Sequence, residues 1–248
     1  MPSDIKPTFL LVHGAWHGSW CWSSLQAILE SHGFNVVTVD LPSVNGLDPL
    51  AHTMSDDAAA VGAAVEGIDG PVVVVAHSYG GVPVTQGGAA PHVLHIVYIS
   101  AFVLDIGESL LGSLGGERPD WWALDGQLAS AGTPDYPARD LFFGDVDAPA
   151  AEEAVARLLP QNASAFSEEL TAAAWKSVPS TFIVTEQDAI FPVEAQEALA
   201  TRAGSAVLRM DTSHSPFLSQ PKRLAELLED VAVRSMVRSP AEELEARS

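Results

Sequence analysis

The sequence predicts an α/β fold: a mostly parallel sheet of six strands, flanked by helices, with a helical segment inserted between two of the strands. Two observations carry this prediction. Short β-branched segments alternate with segments of helical periodicity along the 248 residues, which indicates a doubly wound sheet with right-handed crossovers. Several strand segments are also apolar on both faces, as parallel strands covered by helices must be. A chain of this length can bury the large core that such a sheet needs.

The N-terminal half supplies four of the strands. Its elements, in order, are strand Thr8–Val12, helix Ser24–Ser31, strand Asn35–Val39, helix Ser55–Glu66, strand Val72–Ala76 and strand His95–Ser100. The first helix places Leu25 and Leu29 on one face and stops before Gly33, a residue type that suits the end of a helix. The second helix is rich in alanine, and Asp56 and Asp57 near its start suit the positive end of the helix dipole.

The C-terminal part resumes the alternation after an interruption. Its elements are strand Thr181–Thr185, helix Val193–Ala203, strand Ala206–Met210 and helix Arg223–Met236. The interruption runs from about residue 104 to residue 177 and contains no convincing strand, but it includes the helical stretch AAEEAVARLL at 150–159. A structureless loop of that length is uncommon in a compact domain. We therefore predict a helical cap at 104–177, inserted into a core made of residues 1–103 and 178–248.

Composition excludes several classes of protein. Hydrophobic residues make up 47% of the chain and charged residues 18%, which is typical of a folded protein. No apolar stretch approaches the ~18–20 residues that span a bilayer. The N-terminus lacks a basic start followed by an apolar segment, so we expect a cytoplasmic protein with no membrane partner. The net charge of −20 argues against nucleic-acid binding. The single cysteine, Cys21, cannot form an internal disulfide, and no metal cluster is expected.

The stretch VVVVAHSYGG at 72–81 carries the first sign of chemistry. It predicts a buried strand that ends in a sharp turn and a helix, with Ser78 at the apex. This arrangement is the nucleophile elbow, whose strained turn requires small residues two positions to either side of the serine. Ala76 and Gly80 occupy those positions, so the pattern is A-x-S-x-G where G-x-S-x-G is usual. The alternative is a glycine-rich turn in which the serine has no chemical role.

A serine nucleophile needs a general base and an acid that orients the base, and after an elbow their order along the chain is serine, acid, histidine. His214 is the one histidine of eight that lies in a loop after the last predicted strand. Asp188 lies just beyond another strand, at the sheet edge where ligands bind. His214 could instead be a solvated loop residue, and Asp188 could be a helix cap. Three rival acids stay open: Asp105, Glu186 and Asp211.

Acyl transfer also needs two N–H donors for the negative charge that develops on the carbonyl oxygen. The residue after the nucleophile, Tyr79, is expected to supply one backbone N–H, and Ala15 in the loop after the first strand the other. Gly14 turns the chain in this loop, whose sequence is HGAWHGSWCW at 13–22. The alternative role of the tryptophans and histidines in the loop is packing.

These motifs together resemble the α/β-hydrolase superfamily, in particular its branch of small methylesterases, salicylate-type esterases and hydroxynitrile lyases. The resemblance rests on HGAWHGSWCW, AHSYGG and the tail segments TEQD and SHSPFLSQP, and it covers about residues 8–103 and 178–236. It implies the α/β-hydrolase fold with a helical cap and a triad of Ser78, Asp188 and His214 that needs neither cofactor nor metal. The implied activity is a serine hydrolase that cleaves carboxylic esters through an acyl-enzyme on Ser78.

Three positions depart from that branch. The lyases have threonine where this chain has Gly14 and lysine where it has Ser215, so cyanohydrin cleavage is disfavoured. Tyr79 stands where the plant esterases commonly have leucine, which leaves the acyl pocket and the substrate open. Other functions also stay open: a ligand-binding sensor, or a triad enzyme that acts as a lyase, perhydrolase, acyltransferase or amidase.

The expected partner is a small to medium, apolar and uncharged ester. Candidate pocket residues are aromatic or lie beside the elbow: Gly14, Trp16, Phe102, Trp121, Trp122, Phe142, Phe143 and Phe166. Small-molecule pockets are mostly apolar with a few polar groups, although ordinary packing within the cap would explain the same residues. A homodimer also stays open.

Overall fold

The computed structural model describes residues 6–237. The N-terminal segment considered for a targeting signal, and both outer ends of the predicted core, lie outside the described residues. The strands are β1 Thr8–Val12, β2 Val36–Val39, β3 Val72–His77, β4 Val93–Ile99, β5 Trp122–Asp125, β6 Leu128–Ala131, β7 Gln161–Asn162, β8 Ser180–Thr185 and β9 Ala206–Met210. The helices are α1 Ser23–Ser31, α2 Pro42–Asn45, α3 Met54–Glu66, α4 Gly81–Gly87, α5 Leu110–Ser113, α6 Ala138–Phe142, α7 Ala148–Ala156, α8 Val193–Arg202, α9 Pro216–Ser219 and α10 Pro221–Val237. Within this part of the chain, no helix combines the length and the apolar character that a membrane crossing requires.

Six strands form one all-parallel sheet in the order β2-β1-β3-β4-β8-β9. β1 and β3 pair in register from Thr8 opposite Val72 to Val12 opposite Ala76, and the other neighbouring strands of this sheet also pair in parallel. The predicted six-stranded α/β fold is confirmed. Among these six strands, the observed and predicted first residues differ most for β4, which begins two residues before His95.

The position of β3 in the sheet explains why the strand begins with four consecutive valines. Val72 and Val74 belong to the core layer that contains residues of α3 and α4. Val73 and Val75 belong to the opposite layer, which contains residues of α1 and α10. Successive side chains of a strand point to opposite faces, so a central strand needs an apolar residue at every position. Burial of each valine side chain contributes roughly 1.5–3 kcal/mol.

Between β4 and β8 the chain leaves the sheet and forms the segment for which the sequence predicts a helical cap. It contains α5, α6 and α7, and α7 overlaps the stretch predicted at 150–159. It also contains a small antiparallel sheet in the order β5-β6-β7, which the sequence pattern did not predict. These strands have four, four and two residues, too few for an alternation of polar and apolar side chains to be recognisable.

Candidate active site

The predicted site residues follow strands of the parallel sheet at its carboxyl edge. Ser78 follows β3, Asp188 follows β8, His214 follows β9 and Ala15 follows β1. Because parallel strands all end at the same edge, the loops that follow them meet there. Ser78, His214 and Ala15 line one cavity. The fold thus assembles residues that are far apart in the sequence into one site.

Ser78 occupies a sharp turn between β3 and α4. Its φ of 52° lies in the left-handed region, which costs a residue other than glycine about 1–2 kcal/mol. A Cβ on Gly80 would lie 2.4 Å from the carbonyl oxygen of His13, so only glycine fits where the turn packs against the loop after β1. A strained serine with a small neighbour is the geometry expected of a nucleophile elbow.

Asp188 and His214 form a buried pair. Oδ2 of Asp188 accepts a hydrogen bond from Nδ1 of His214 at 2.6 Å, and both side chains are at most 1% exposed. Oδ2 also accepts from the hydroxyl of Thr185 at 2.8 Å. Oδ1 accepts from the backbone N–H groups of Ile190 and Phe191 at 3.0 and 2.9 Å. Four donors therefore fix the carboxylate, and the carboxylate in turn holds the ring proton of His214 on Nδ1.

The three rival carboxylates face other partners. Asp105 and Glu186 each pair with a basic side chain, and the exposed Asp211 accepts from a neighbouring side-chain amide. Of the four carboxylates considered, only Asp188 contacts the imidazole of His214.

The second ring nitrogen of His214 has no hydrogen-bond partner among the described residues. Nε2 is buried and makes no hydrogen bond with any residue between 6 and 237. With the proton on Nδ1, this nitrogen is an acceptor with a free lone pair, and leaving it buried and unpaired costs roughly 1–3 kcal/mol. His214 borders the same cavity as Ser78, so its Nε2 is available to accept a proton from a group bound there.

The cavity is narrow, about 60 Å³ in volume, and has an apolar lining. Five of the residues predicted for the pocket line it: Trp16, Phe102, Trp121, Trp122 and Phe166. Five further apolar residues, which the sequence did not single out, also line it: Leu110, Leu114, Pro119, Ile190 and Phe191. No lysine, arginine, aspartate or glutamate among the described residues belongs to the lining. This composition suits an apolar, uncharged ligand.

Three residues predicted for the pocket lie outside this lining: Gly14, Phe142 and Phe143. A Cβ on Gly14 would lie 2.8 Å from Nδ1 of His77 and 2.9 Å from Cβ of Ser78, so Gly14 is packed against the elbow instead. Phe142 and Phe143 are at most 1% exposed and belong to a core layer. An aromatic side chain in a cap has the same sequence signature whether it faces a cavity or fills the core.

Two backbone N–H groups at the cavity have no acceptor in the part of the chain that the structure describes. Ala15 and Tyr79 both line the cavity, and neither N–H donates a hydrogen bond to another residue of the described chain. The N–H of the next residue, Trp16, is taken by Oε1 of Gln161 at 3.3 Å. Trp16 has a φ of 62°, which a tryptophan adopts only where its surroundings impose it. The loop after β1 is therefore held in a shape that leaves the N–H of Ala15 available.

Three further buried histidines surround the pair and are neutral at neutral pH. Burial lowers the pKa of His13 to about 4 and the pKa of His17 to about 3. Burial also lowers the pKa of His77 well below its usual value. Nε2 of His77 donates to the backbone oxygen of His214 at 2.9 Å and so supports the loop that carries this residue. Nowhere in residues 6–237 do three or more His, Cys, Asp or Glu side chains form a group that could hold a metal ion.

Known proteins resemble this chain over nearly its whole length. A family model described as "Alpha/beta hydrolase family" matches residues 9–227. A probable hydrolase of Phoma sp. is 31% identical, over 92% of this chain and 98% of that protein. Methylesterase 9 of Arabidopsis thaliana is 28% identical, over 90% of this chain and 97% of that protein. The crystal structure of polyneuridine aldehyde esterase matches with a TM-score of 0.76 at 26% identity, over 92% of this chain and 100% of that one. The resemblance inferred from the sequence motifs is confirmed.

Proposed function

This chain belongs to the alpha/beta hydrolase family, and on that basis we propose that it is a serine hydrolase that cleaves carboxylic esters through an acyl-enzyme on Ser78. One observation carries the proposal. Nδ1 of His214 is held by Asp188 at 2.6 Å, while its buried Nε2 has no partner among the described residues. An imidazole held in this way is a general base that lacks only its proton donor, and Ser78 borders the same cavity. The names of two relatives, a methylesterase and an esterase, support ester hydrolysis.

The acyl-enzyme forms in two steps. First, Nε2 of His214 takes the proton of the Ser78 hydroxyl as its oxygen attacks the carbonyl carbon of the ester. Asp188 keeps the ring in orientation and stabilises the imidazolium that results. The imidazolium then gives its proton to the leaving alcohol, and the acyl group stays on Ser78.

Water completes the cycle by the same steps. His214 takes a proton from a water molecule whose oxygen attacks the acyl carbon, and the proton returns to Ser78 as the carboxylic acid leaves. In both halves of the cycle, the N–H groups of Ala15 and Tyr79 donate to the oxyanion. Because these donors have no other acceptor within residues 6–237, they need no reorganisation when charge develops. Loss of one such donor lowers kcat by about 10²–10³.

The substrate that fits this cavity best is a small to medium, apolar and uncharged ester. The lining of the cavity supports this choice, because it is apolar and none of its described residues is a lysine, arginine, aspartate or glutamate. Trp121, Trp122, Leu110 and Leu114 of the lining all belong to the segment 104–177. We propose that this segment acts as a cap domain over the core 1–103 and 178–248, and that it selects the substrate.

Cyanohydrin cleavage has less support than ester hydrolysis. The lyases that this chain resembles have threonine at the position of Gly14, where a side chain would lie 2.8 Å from Nδ1 of His77. They also have lysine at the position of Ser215, which is fully buried here. A long charged side chain at this buried position would need a partner to offset its desolvation. Nothing in the cavity favours a non-hydrolytic sensor over an ester hydrolase.

The test is turnover of p-nitrophenyl acetate and butyrate by the wild type, by Ser78→Ala and by a matched control variant. Ser100→Ala is the control, because Ser100 directly follows the neighbouring strand β4, is buried and has a positive φ of 37°. We expect Ser78→Ala to lower kcat on the order of 10⁴–10⁶-fold and Ser100→Ala to retain turnover. Equal turnover by the wild type and Ser78→Ala would refute the proposal.

A further inference from the structure

We propose that a buried hydrogen-bonded chain of side chains, formed by Tyr79, Asp57, Ser43 and Gln161, positions both N–H donors of the oxyanion hole. The inference rests on the proposed ester hydrolysis and assigns positioning roles to residues outside the triad. This chain of side chains joins the two segments that carry the donors, the elbow after β3 and the loop after β1. Asp57, Ser43 and Gln161 do not line the cavity, so they act through the backbone of Tyr79 and Trp16.

At the elbow, the phenol of Tyr79 donates to Oδ2 of Asp57 at 2.6 Å. Asp57 lies in the first turn of α3 and is fully buried. Its other two donors both come from Ser43, whose N–H donates to Oδ1 at 2.9 Å and whose hydroxyl donates to Oδ2 at 2.6 Å. Three donors hold the carboxylate in place. The side chain of Tyr79 is therefore anchored to α2 and α3.

Gln161 connects this anchor to the loop after β1. Its Nε2 donates to Oγ of Ser43 at 3.0 Å, and its Oε1 accepts from the N–H of Trp16 at 3.3 Å. The directions of all these bonds are mutually consistent, because each hydroxyl donates once and Gln161 uses its amide nitrogen and its oxygen in their proper roles. A displacement of Asp57 is therefore transmitted to both donor segments.

Trp16 is the residue whose backbone most needs this support. Its φ of 62° costs of order 1–3 kcal/mol and persists only if the surroundings impose it. Besides the bond to Gln161, its indole N–H donates to the oxygen of Ala129 and its own carbonyl accepts from the N–H of Leu159, both at 2.9 Å. Trp16 directly follows Ala15, so a backbone rotation at Trp16 would turn the Ala15 N–H away from the oxyanion.

The charge on Asp57 indicates more than a stabilising role. Burial raises the pKa of Asp57 to about 6, and burial beside this carboxylate raises the pKa of the Tyr79 phenol well above its usual value. Apolar residues of similar volume often stabilise a fold as well as a buried charged group, or better. A fully satisfied polar network differs from such packing in that it fixes orientation as well as position, and orientation is what an N–H donor requires.

Tyr79→Phe and Gln161→Met test the proposal, because each interrupts the chain of side chains at one end with little change in size. The readouts are kcat and KM for p-nitrophenyl butyrate, and the inhibition constants of two ketones with the same carbon skeleton. A trifluoromethyl ketone forms a tetrahedral adduct with the serine and places an oxyanion in the hole, whereas the parent methyl ketone binds without reaction. We expect kcat to fall about tenfold and trifluoromethyl ketone affinity to fall by the same factor, with KM and methyl ketone affinity within about twofold of wild type.

Tyr98→Phe is the matched control. Tyr98 is fully buried in the same core layer as Tyr79 and makes one hydrogen bond, at 3.2 Å, with the hydroxyl of Thr85. This variant should keep the wild-type kcat and the wild-type affinity for the trifluoromethyl ketone. If circular dichroism shows that a variant is unfolded, Ser43→Ala replaces it. This substitution removes the hydroxyl that joins Asp57 to Gln161 and keeps the hydrogen bond from the backbone N–H of residue 43 to Asp57.

Two results would overturn the inference. In one, the interrupted variants bind the trifluoromethyl ketone as tightly as the wild type. In the other, both ketones weaken equally, which is the result expected of a purely structural role. If Ser78→Ala abolishes turnover in the same experiment, only the inference fails. If the wild type shows no turnover, the proposed function fails and the inference fails with it.

Discussion

Replacement of Asp188 by asparagine perturbs the proposed general base without a change of shape. Oδ1 of Asp188 accepts from the N–H groups of Ile190 and Phe191 at 3.0 and 2.9 Å. Oδ2 accepts from Thr185 and His214 at 2.8 and 2.6 Å. The single oxygen of asparagine should take the Oδ1 position, because backbone N–H groups cannot reverse their direction. The amide NH₂ would then face Nδ1 of His214.

This arrangement favours the wrong tautomer of His214. An NH₂ group beside Nδ1 makes that nitrogen an acceptor and moves the ring proton to Nε2, which then cannot take the proton of Ser78. In Ser-His-Asp enzymes the same substitution lowers kcat about 10⁴-fold. This factor corresponds to about 5 kcal/mol of transition-state stabilisation, at about 1.4 kcal/mol for each factor of ten. KM should change little, because Asp188 does not line the cavity.

The assay is kcat and KM for p-nitrophenyl butyrate, together with NMR of the His214 ring nitrogens to identify the tautomer. Asp211→Asn is the control, since Asp211 is an exposed carboxylate on the same loop as the histidine. A kcat for Asp188→Asn within about tenfold of wild type would refute the assignment of the acid. A larger loss in Asp211→Asn would transfer that role to Asp211.

Three further predictions concern packing, pH and the pocket. Gly14→Thr should destabilise the fold by about 1–3 kcal/mol, because its Cβ would lie 2.8 Å from Nδ1 of His77; an unchanged denaturation midpoint would contradict this. Stability should fall as the pH drops from about 6.5 towards about 4, because burial lowers the pKa of His13 to about 4 and that of His17 to about 3. In that window the unfolded chain binds protons at His13, His17 and His77 that the folded chain does not, and this outweighs the one proton that the folded chain gains because burial raises the pKa of Asp57 to about 6. A melting temperature independent of pH would disprove the prediction. Trp122→Ala should enlarge the cavity that Trp122 lines. The ratio of kcat/KM for p-nitrophenyl esters with a long acyl chain to kcat/KM for those with a short one should therefore rise; a constant ratio would show that the acyl chain does not bind beside Trp122.

The sequence predicts the central sheet and the chemical core of the site because their signals are local. The first five residues of β3, Val72 to Ala76, are apolar, as is typical of a buried central strand, and the elbow follows directly after the strand. Asp188 and His214 each follow a predicted strand, so the parallel sheet alone brings them to one edge. The order of the strands in the sheet, more than any residue next to them in the sequence, explains why the two side chains meet in a hydrogen bond of 2.6 Å. The strand signals therefore predict the place of the site before any side-chain contact is known.

The remaining features depend on tertiary contacts that no local pattern contains. Asp56 and Asp57 both suit the start of α3, yet only Asp56 accepts from the backbone N–H of Thr53, at 2.9 Å. Asp57 points inward to Ser43 and Tyr79. One step along a helix turns a side chain by about 100°, so the packing of α3 on its neighbours decides which aspartate is buried. The short strands β5 to β7 likewise depend on pairing within the segment 104–177, and the left-handed backbone of Trp16 depends on its hydrogen bonds to Ala129, Leu159 and Gln161 of that segment.

The acyl-enzyme on Ser78 is the central claim, and intact-protein mass spectrometry after rapid mixing with p-nitrophenyl butyrate tests it most directly. We predict that the wild type gains the mass of one butyryl group during the burst of p-nitrophenol release, and that peptide mapping locates this group on Ser78. Ser78→Ala should gain no mass and release no burst. Turnover without any acylated protein, or a butyryl group on another residue while Ser78 stays unmodified, would contradict the account.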